Sequence, residues 1–421
     1  MAFGRCTFWC TAILIQSSCP LACSKETPAR AEAAAPAPPS PVEKAPAAEP
    51  SPPEAVRPIH LSRVDRSRTS HTAIKGPRGA KLKWVFRTQG RIYADAAIAK
   101  DGTVYVPSHD GHLYAVDREG QQLWAFDAMG KIWSSPAIAE DGTIYFGSDA
   151  DKLFALTEKG EVKWIFSTEM PLKKGEAKLD ARWDVDTSPV IARDGTVYFG
   201  CHYFLYALNP SGELKWRFQA GVDRVKIFSS PALDRQDNVF FGTQGKRFFA
   251  LRPNSEVLWN LQTGGDNDST PCIDKNTVFF ASDDGKVRAV KESSGDIVWE
   301  TDLGHPIRAP LALGPKSVIA ATYEQRPGVI ALDIETGKVQ WRFDVEPGEG
   351  AFYGIQSGAL VDGEGYIYFG SRDHRVYCLS PDGKPVWQYE TGDQVDSGPV
   401  LGPDGTLYIG SDDKRLYAFE R

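Results

Sequence analysis

The sequence predicts an all-β protein, an eight-bladed β-propeller in which every blade is a four-stranded antiparallel sheet. Three observations predict this fold: a recurring tryptophan, a recurring Tyr/Phe-x-Gly step, and a repeat region whose two ends complement each other. Consecutive tryptophans are 40 to 52 residues apart, and four short strands in about 40–45 residues are typical of one blade. The eight repeating tryptophans are Trp84, Trp124, Trp164, Trp216, Trp259, Trp299, Trp341 and Trp387.

The clearest repeat lies between Ser135 and Trp164. Turn residues separate its β-rich runs, which are Pro136–Ala139, Thr143–Gly147, Lys152–Leu156 and Val162–Phe166. The dipeptide Asp141-Gly142 predicts a two-residue hairpin whose central residues both have positive φ. This repeat therefore defines the order of strands within one blade.

The ends of the repeat region predict how the ring closes. The region begins with a lone strand that carries a tryptophan, Lys81 to Phe86, and it ends at Leu416–Phe419, the third strand of a blade. The first strand is expected to supply the missing outer strand of the last blade, because closure leaves no long unpaired sheet edge. The predicted propeller domain spans residues 81–421.

Composition excludes some classes of function. The 421 residues carry a net charge of −7 and the pI is near 5.6, whereas nucleic-acid binding calls for a basic surface. We therefore predict no nucleic-acid partner. The sequence also has no run of 18 or more apolar residues that could span a membrane in the mature protein.

Residues 1–23 have the features of an export signal. Arg5 provides the positive charge and Cys6 to Ile15 form a short apolar core. The end of this segment resembles a bacterial lipobox, which makes Cys23 the predicted site of lipidation and the lipid the predicted membrane anchor. Pro20 departs from that pattern and Cys19 is a second candidate, so secretion after simple cleavage stays an alternative. The lipoprotein interpretation favours an address at the outer membrane, facing the periplasm or the cell surface.

Residues 24–80 are predicted to be a disordered linker. Runs such as Ala35–Pro41 and Glu49–Pro53 are rich in Pro and Ala and cannot bury apolar surface. The last part of the segment is basic, which we interpret as a solvated linker end; its cationic residues are Arg63, Arg66, Arg68, His71 and Lys75.

A complete copy of the repeat motif, Ala331 to Trp341, contains Ala-Leu-Asp-x-x-Thr-Gly before its tryptophan. We expect this pattern to position the tryptophan that follows it, and each tryptophan to act first as a packing residue. The motif resembles the tryptophan-docking motif of the pyrroloquinoline-quinone (PQQ)-type propeller repeat. That repeat occurs in quinoprotein dehydrogenases and in the propeller lipoprotein of the β-barrel assembly machinery. The resemblance covers residues 82–421.

The dehydrogenase branch of this resemblance would imply a disulfide between adjacent cysteines, a calcium site and a catalytic aspartate. No two cysteines of this chain are adjacent, and the three in the repeat region, Cys201, Cys272 and Cys378, replace small residues of the repeat. We interpret them as buried apolar thiols. The sequence therefore predicts neither PQQ nor Ca²⁺ as a cofactor and no catalytic residues.

Three short clusters could suggest a metal, and each has a simpler interpretation. His109 and His112 lie on one turn without a third ligand nearby. The pairs Asp184/Asp186 and Asp266/Asp268 lack the loop pattern of a calcium site. We interpret all three as turn and loop residues and predict no metal site.

A candidate binding surface emerges at one mouth of the central channel. Counting three residues back from the small, Pro-containing step of each inner strand gives Tyr93, Trp133, Asp186, Phe228, Asp268, Ile307, Ile355 and Asp396. Trp183, Arg308, Phe352 and Tyr353 are expected close by. Aromatic anchors with a polar rim suit a binding surface, and plugging of the channel is the alternative, favoured for Ile307 and Ile355. Insertions at Glu169–Arg182 and Glu346–Phe352 are expected on one rim of the propeller.

These observations predict a non-catalytic binding or scaffold protein of the cell envelope that docks partner proteins on one propeller face, as in outer-membrane protein assembly. The alternative is a quinone-dependent oxidoreductase, or a degenerate relative that binds a small ligand at the Trp133/Phe228 mouth.

Overall fold

The computed structural model describes residues 65–168, 184–221, 225–324, 326–348 and 354–421. Within them, 32 strands form eight separate four-stranded antiparallel sheets and no helix occurs. The predicted eight-bladed β-propeller is confirmed. The predicted signal, Cys23 and residues 24–64 of the predicted linker lie outside the described residues, and no described helix is long and apolar enough to cross a membrane.

Each of blades 1 to 7 contains four consecutive strands, from the channel outwards. The inner strands are β2 (Ala97–Ile98), β6 (Ala137–Ile138), β10 (Val190–Ile191), β14 (Ala232–Leu233), β18 (Cys272–Asp274), β22 (Ala312–Leu313), β26 (Leu360–Val361) and β30 (Val400–Leu401). The second strands are β3 (Val104–Pro107), β7 (Ile144–Ser148), β11 (Val197–Cys201), β15 (Val239–Thr243), β19 (Thr277–Ala281), β23 (Ser317–Thr322), β27 (Ile367–Ser371) and β31 (Leu407–Ser411).

The third strands are β4 (His112–Val116), β8 (Lys152–Leu156), β12 (Phe204–Leu208), β16 (Arg247–Leu251), β20 (Lys286–Lys291), β24 (Gly328–Asp333), β28 (Arg375–Leu379) and β32 (Arg415–Phe419). The outer strands are β5 (Gln122–Asp127), β9 (Val162–Ser167), β13 (Leu214–Gln219), β17 (Val257–Gln262), β21 (Ile297–Asp302), β25 (Val339–Asp344), β29 (Pro385–Glu390) and β1 (Leu82–Arg87).

Strand β1 closes the ring. It pairs antiparallel with β32, for example Val85 with Tyr417 and Arg87 with Arg415, so that blade 8 has the order β1-β32-β31-β30. The predicted closure by the N-terminal strand is confirmed. Burial follows the sequence pattern: second strands such as Ile144–Ser148 are buried throughout, whereas outer strands such as Val162–Ser167 alternate between exposed and half-buried residues.

The hairpin at Asp141-Gly142 differs from the prediction. Gly142 has φ +82°, but Asp141 is not in the positive-φ region. The Gly142 amide donates to Ala139 O and the Ala139 amide donates to Thr143 O, which makes a three-residue turn with a glycine bulge. The reason is that the Asp141 carboxylate accepts the Thr143 amide at 3.0 Å, which holds Asp141 in the ordinary turn conformation.

Each repeating tryptophan joins one blade to the next. Its indole Nε1 donates to a backbone oxygen 2.7 to 3.0 Å away. The acceptors, in the order of the tryptophans, belong to Arg118, Glu158, Pro210, Pro253, Glu292, Ile334, Pro381 and Pro77. The expectation that a motif positions its own tryptophan is wrong in this respect: the Gly337 turn receives Trp299 of the preceding blade.

The predicted linker boundary at residue 80 is wrong, because residues 65–80 pack against the blades. We call residues 65–78 the strap. Backbone amides at the ends of four inner strands donate to strap carbonyls over 2.8 to 2.9 Å: Leu233 to Arg66, Ile273 to Ser67, Leu313 to Thr69 and Val361 to Ser70. The strap thus crosses blades 4 to 7 on the face where the inner strands end.

Arg68, interpreted from the sequence as a solvated residue, is only 1% exposed. Its guanidinium donates to the backbone oxygens of Pro231, Ser188 and Pro189 at 2.9 to 3.2 Å. The basic composition of this segment predicted an exposed side chain, because a buried arginine is rare unless its hydrogen-bond donors are paired. Here the carbonyls of two inner-strand entries pair them.

Candidate functional site

The channel mouth lies at the other end of the inner strands, where the chain enters each of them. Every entry consists of a buried residue followed by a half-buried one. The half-buried position, which we call the mouth ring, is formed by Tyr93, Trp133, Asp186, Phe228, Asp268, Arg308, Gln356 and Asp396, of which Asp396 alone is fully buried.

In two blades the position counted into the ring is one residue off, and both are positions for which the sequence favours plugging of the channel. Ile307 and Ile355 are 0% exposed and occupy the buried position that Ile92 and Ile132 hold in other blades. Arg308 and Gln356 stand at the mouth instead. Gln356 was not predicted at all, although it directly follows the buried residue of its blade.

The slip arose from counting back from proline. In blade 6, Ala309 occupies the position that Ser269 has in blade 5. The hydrogen bonds between neighbouring blades show this, because Ser229 Oγ donates to Ser269 O and Ser269 Oγ donates to Ala309 O. Pro310 therefore comes one position earlier than Pro271. Blade 7 has Ser357-Gly358-Ala359 and no proline there.

A second ring surrounds the mouth ring and was missed except for His109. Each member follows a Ser, Thr or Cys that is the last residue of the second strand or the next one: His109, Asp149, His202, Gln244, Asp283, Tyr323, Arg372 and Asp412. A usable signal existed, since these residues follow a small Ser, Thr or Cys in the repeat. The second ring was missed because its residue type differs from blade to blade.

Aromatic rings meet on one side of the mouth. The ring of Trp133 lies 5.0 Å from that of Tyr93 and 4.0 Å from that of His109, measured between centroids. Trp133 Nε1 donates to Asp149 at 3.2 Å and the Tyr93 hydroxyl donates to Gln356 Oε1. Burial, with help from Lys131 and Arg91, lowers the pKa of His109 to about 4, so this imidazole is neutral near pH 7.

Two arginines at the mouth, in blades 6 and 7, are already paired with aspartates. Arg308 contacts Asp283 at 2.8 Å and Arg372 binds Asp396 through two hydrogen bonds of 2.7 and 2.9 Å. The guanidinium of Arg308 also lies 5.3 Å from the centre of the Tyr323 ring. These side chains are held in place by charge-assisted bonds.

Unpaired acidity collects in blades 3 and 5. Burial, followed by the charges of Asp184 and Asp149, raises the pKa of Asp186 to about 7. Burial likewise raises the pKa of Asp268 to about 6, although its contact with Gln244 acts the other way. The charge of Lys226 acts the other way on Asp186, and the Lys226 amine lies 5.5 Å over the Phe228 ring. This arc of the mouth carries aromatic and acidic groups side by side.

Other predicted residues are placed as follows. Trp183 and Tyr353 lie outside the described residues, as do Phe352 and most of both insertions. Cys201, Cys272 and Cys378 are buried, as expected, and none of the three forms a disulfide. No group of three His, Cys, Asp or Glu side chains in the described part of the chain could hold a metal ion.

Two cavities border this face. One of about 10 Å³ lies between Asp184, Asp186, His202, Lys226 and Phe228 and has room for no more than one water. The other, about 520 Å³, is an open groove between blades 3 and 4, lined by Gln219, Val225, Arg247 and Phe249 among others. Neither encloses a ligand-sized space at the centre of the mouth ring.

Comparison with known proteins is decisive at the level of the family. The family model described as outer membrane protein assembly factor BamB matches residues 71–209, 109–278 and 204–394, which together cover most of the chain. The chain belongs to the BamB family. The matched region runs from residue 71, within the strap, to residue 394, and it contains every mouth-ring residue except Asp396.

Individual relatives match over short stretches. A tetrathionate hydrolase of Acidithiobacillus ferrooxidans is 26% identical over 112 residues, which is 27% of this chain and 22% of that protein. The BamB of Pseudomonas aeruginosa is 33% identical over 52 residues, 12% of this chain and 14% of that protein. The chain thus matches less than a quarter of the length of either curated relative.

Solved structures match over most of the chain. The BamB of Moraxella catarrhalis superposes with a TM-score of 0.66 at 18% identity, covering 81% of this chain and 99% of that one. The quinohemoprotein alcohol dehydrogenase of Comamonas testosteroni gives 0.68 at 14% identity, over 86% and 80%. A europium-containing methanol dehydrogenase gives 0.69 at 14%, over 85% and 91%. At these identities the similarity establishes the fold alone.

The charges at the mouth bear on whether it could hold PQQ. This cofactor carries three carboxylates and needs cations to hold them. Arg308 and Arg372 are already bound to aspartates, and Asp186 and Asp268 have raised pKa values because of burial and, after it, of the negative charges around them. A tricarboxylate would add to that repulsion.

Proposed function

We propose that this protein is a non-catalytic scaffold of the cell envelope that docks a partner protein on the mouth face of its propeller, in the assembly of outer-membrane proteins. Lipidation at Cys23 would anchor it at the outer membrane, and the rest of the chain would reach its partners from there. No PQQ or Ca²⁺ takes part in this function.

One observation supports the docking surface above others: Trp133, Asp186 and Phe228 occupy successive positions of the mouth ring and are all only partly buried. Large aromatic side chains next to a charge, at the centre of a face, are the composition of interaction hot spots. Their backbone belongs to rigid blades, so little conformational entropy is lost when a partner binds.

Family membership supports the same proposal from a separate direction. The matching family model and one curated relative are named as outer membrane protein assembly factor BamB, and one solved structure is named as BamB. The charge of −7 argues against a nucleic-acid partner and agrees with a protein partner.

The second candidate is a quinone-dependent oxidoreductase or a degenerate relative that binds a small ligand at the Trp133/Phe228 mouth. The observation that favours it is the extensive superposition on two alcohol-oxidising dehydrogenases. Titration with PQQ and Ca²⁺ separates the candidates, because a ligand over Trp133 would quench tryptophan fluorescence. We expect no saturable quenching.

The test of docking is crosslinking in cells followed by affinity capture of the membrane-extracted protein and mass spectrometry. The wild type is compared with the double variant Trp133→Ala/Phe228→Ala. A matched control, Leu123→Ala/Val339→Ala, removes apolar groups that are 55% and 53% exposed on outer strands. Thermal melts establish that the three proteins are folded.

We expect components of the barrel-assembly machinery with the wild type and the control, and their loss with the double variant. Recovery of the same partners by all three proteins would keep the scaffold but move its interface away from the mouth. Recovery of no specific partner by the wild type would contradict the scaffold proposal and favour the small-ligand alternative.

A further inference from the structure

The seam between blades 7 and 8 differs from the other seven. At those seams the tryptophan of one blade docks on a turn between the third and outer strands of the next blade, as Trp341 docks on Pro381. In blade 8 that turn does not exist, because β32 and β1 belong to opposite ends of the chain. Trp387 docks instead on Pro77 O of the strap, at 3.0 Å.

The strap is held by an arginine near each end. Arg66 pairs with Asp237 of blade 4 at 3.0 Å. Arg78 pairs with Asp362 at 2.8 Å and with Glu364 at 2.7 Å, both in blade 7. The guanidinium of Arg78 also lies 3.6 Å from the centre of the Tyr366 ring. Between these ends, Arg68 enters the channel.

Blade 7 is shaped to let the strap pass. A Cβ at Gly363 would lie 2.3 Å from Ala73 O, so no side chain fits beneath the strap at this position. The corresponding turn positions in blades 1, 2 and 3 carry Lys100, Glu140 and Arg193. The glycine is thus explained by the strap and not by the turn, because its φ is not in the positive region.

Loss of the strap would leave buried groups of this seam without partners. Trp387 would lose the acceptor of its indole, and Asp362, whose side chain is fully buried, would lose Arg78 and the Gly76 amide. An unpaired buried donor or carboxylate is costly. The tryptophan contact between blades 2 and 3 would keep its acceptor, since Trp164 docks on Pro210 within the repeat, although the Ser188 and Pro189 oxygens of blade 3 would lose Arg68.

We propose that the strap is the latch of the ring: the seam between blades 7 and 8 opens only when residues 65–78 detach, and it is the seam at which the propeller opens first. The device joins the N-terminal end of the folded unit to the closure of the propeller. It is independent of the partner that the mouth binds.

The test is native-state hydrogen exchange of the full chain, read by mass spectrometry on peptides from both seams. Gly363→Ala displaces the strap by a steric clash, and Arg78→Met removes its terminal ion pairs. Gly79→Ala is the matched glycine control, since a Cβ there meets no atom within 4 Å. Arg252→Met is the matched arginine control, since it removes a weak, exposed pair with Glu256 at 3.9 Å.

We expect both strap variants to speed exchange in Pro385–Glu390 and Arg415–Phe419 by about tenfold or more, with Val162–Ser167 and Phe204–Leu208 unchanged. Equal acceleration at both seams, or none at the seam of blades 7 and 8 while the Thr72 and Gly76 amides exchange freely, would overturn the proposal. The wild type alone provides a further test: seam amides that exchange faster than the Thr72 amide would also contradict a latch.

Discussion

The indole N–H of Trp387 donates to the backbone oxygen of Pro77, a residue 310 positions earlier in the chain, at 3.0 Å. Through this bond the last inter-blade contact of the propeller depends on a segment that lies before the first strand. Every blade thus docks a tryptophan on a backbone oxygen. For Trp387 the acceptor lies in the strap, because the third and outer strands of blade 8 come from opposite ends of the chain.

Trp216→Ala is expected to lower the melting temperature by about 5–10 °C, since the variant loses packing and the hydrogen bond from Nε1 to Pro253 O. Differential scanning calorimetry measures the shift. Leu214→Ala on the same strand is the control, because Leu214 is 46% exposed. An unchanged melt of the tryptophan variant would contradict its role in joining blades.

Gly337→Ala is expected to destabilise the protein by about 2 kcal/mol or more. Gly337 has φ +69°, a region that costs an L-residue about 1–2 kcal/mol, and its new Cβ would lie 2.5 Å from the Trp299 ring. Urea unfolding measures the free energy change, with Gly79→Ala as control. Equal midpoints for the two variants would show that the turn adapts.

Arg68→Met is expected to lower the free energy of unfolding by about 2–4 kcal/mol, because three buried carbonyls lose a charged donor. The same denaturation assay applies. Lys75→Met is the control on the same strap, since Lys75 and its partner Glu364 are about half exposed. If both variants lowered the free energy of unfolding by the same small amount, Arg68 would contribute packing and its hydrogen bonds would contribute little.

Asp186→Asn is expected to stabilise the protein increasingly as pH rises. Burial raises the pKa of Asp186 in the folded protein from its ordinary value of 3.8 to about 7, so the wild type loses stability as pH rises from about 4 to about 7. The gain of the variant should be small at pH 4 and reach about 1–3 kcal/mol at pH 8.

The control for this prediction has the opposite sign. Asp194 pairs with Lys215 at 3.0 Å and has a lowered pKa, so Asp194→Asn should lose a little stability above about pH 4 and gain none. Melting temperatures across pH 4 to 8 measure both variants. A difference between Asp186→Asn and wild type that does not change with pH would contradict the raised pKa.

Cys23→Ser is expected to release the protein from the membrane fraction, because the proposed anchor is a lipid on this thiol. Fractionation followed by mass measurement of the mature N-terminus is the readout, with Cys19→Ser as the control. Continued membrane association of the Cys23 variant alone would point to Cys19, and a soluble wild type would contradict lipidation.

The eight blades, their strand order and the closure by β1 were predictable from the sequence. The reason is that each blade repeats a local pattern, in which a turn, an alternating strand and a tryptophan recur at near-constant spacing. The buried thiols at Cys201, Cys272 and Cys378 followed from the same alignment of repeats.

The mouth could be predicted only in part. Six members of the ring were found, five of them because their blades keep proline at the usual position, where blade 1 has Ala96. In blades 6 and 7 the register depends on which residue packs inside, and only the burial of Ile307 and Ile355 shows that Arg308 and Gln356 face the mouth. A one-residue slip exchanges a core position for a mouth position.

What the sequence by itself determined is therefore the periodic part of the molecule, whose structure follows from contacts close in the chain. What only the tertiary structure decided is the strap. Residues 65–80 contain no repeat, and their partners, such as Ser188, Asp362 and Trp387, lie more than a hundred positions away. Their basic composition predicted side chains exposed to solvent. In the structure the Arg68 guanidinium instead binds backbone oxygens at the entries of two inner strands.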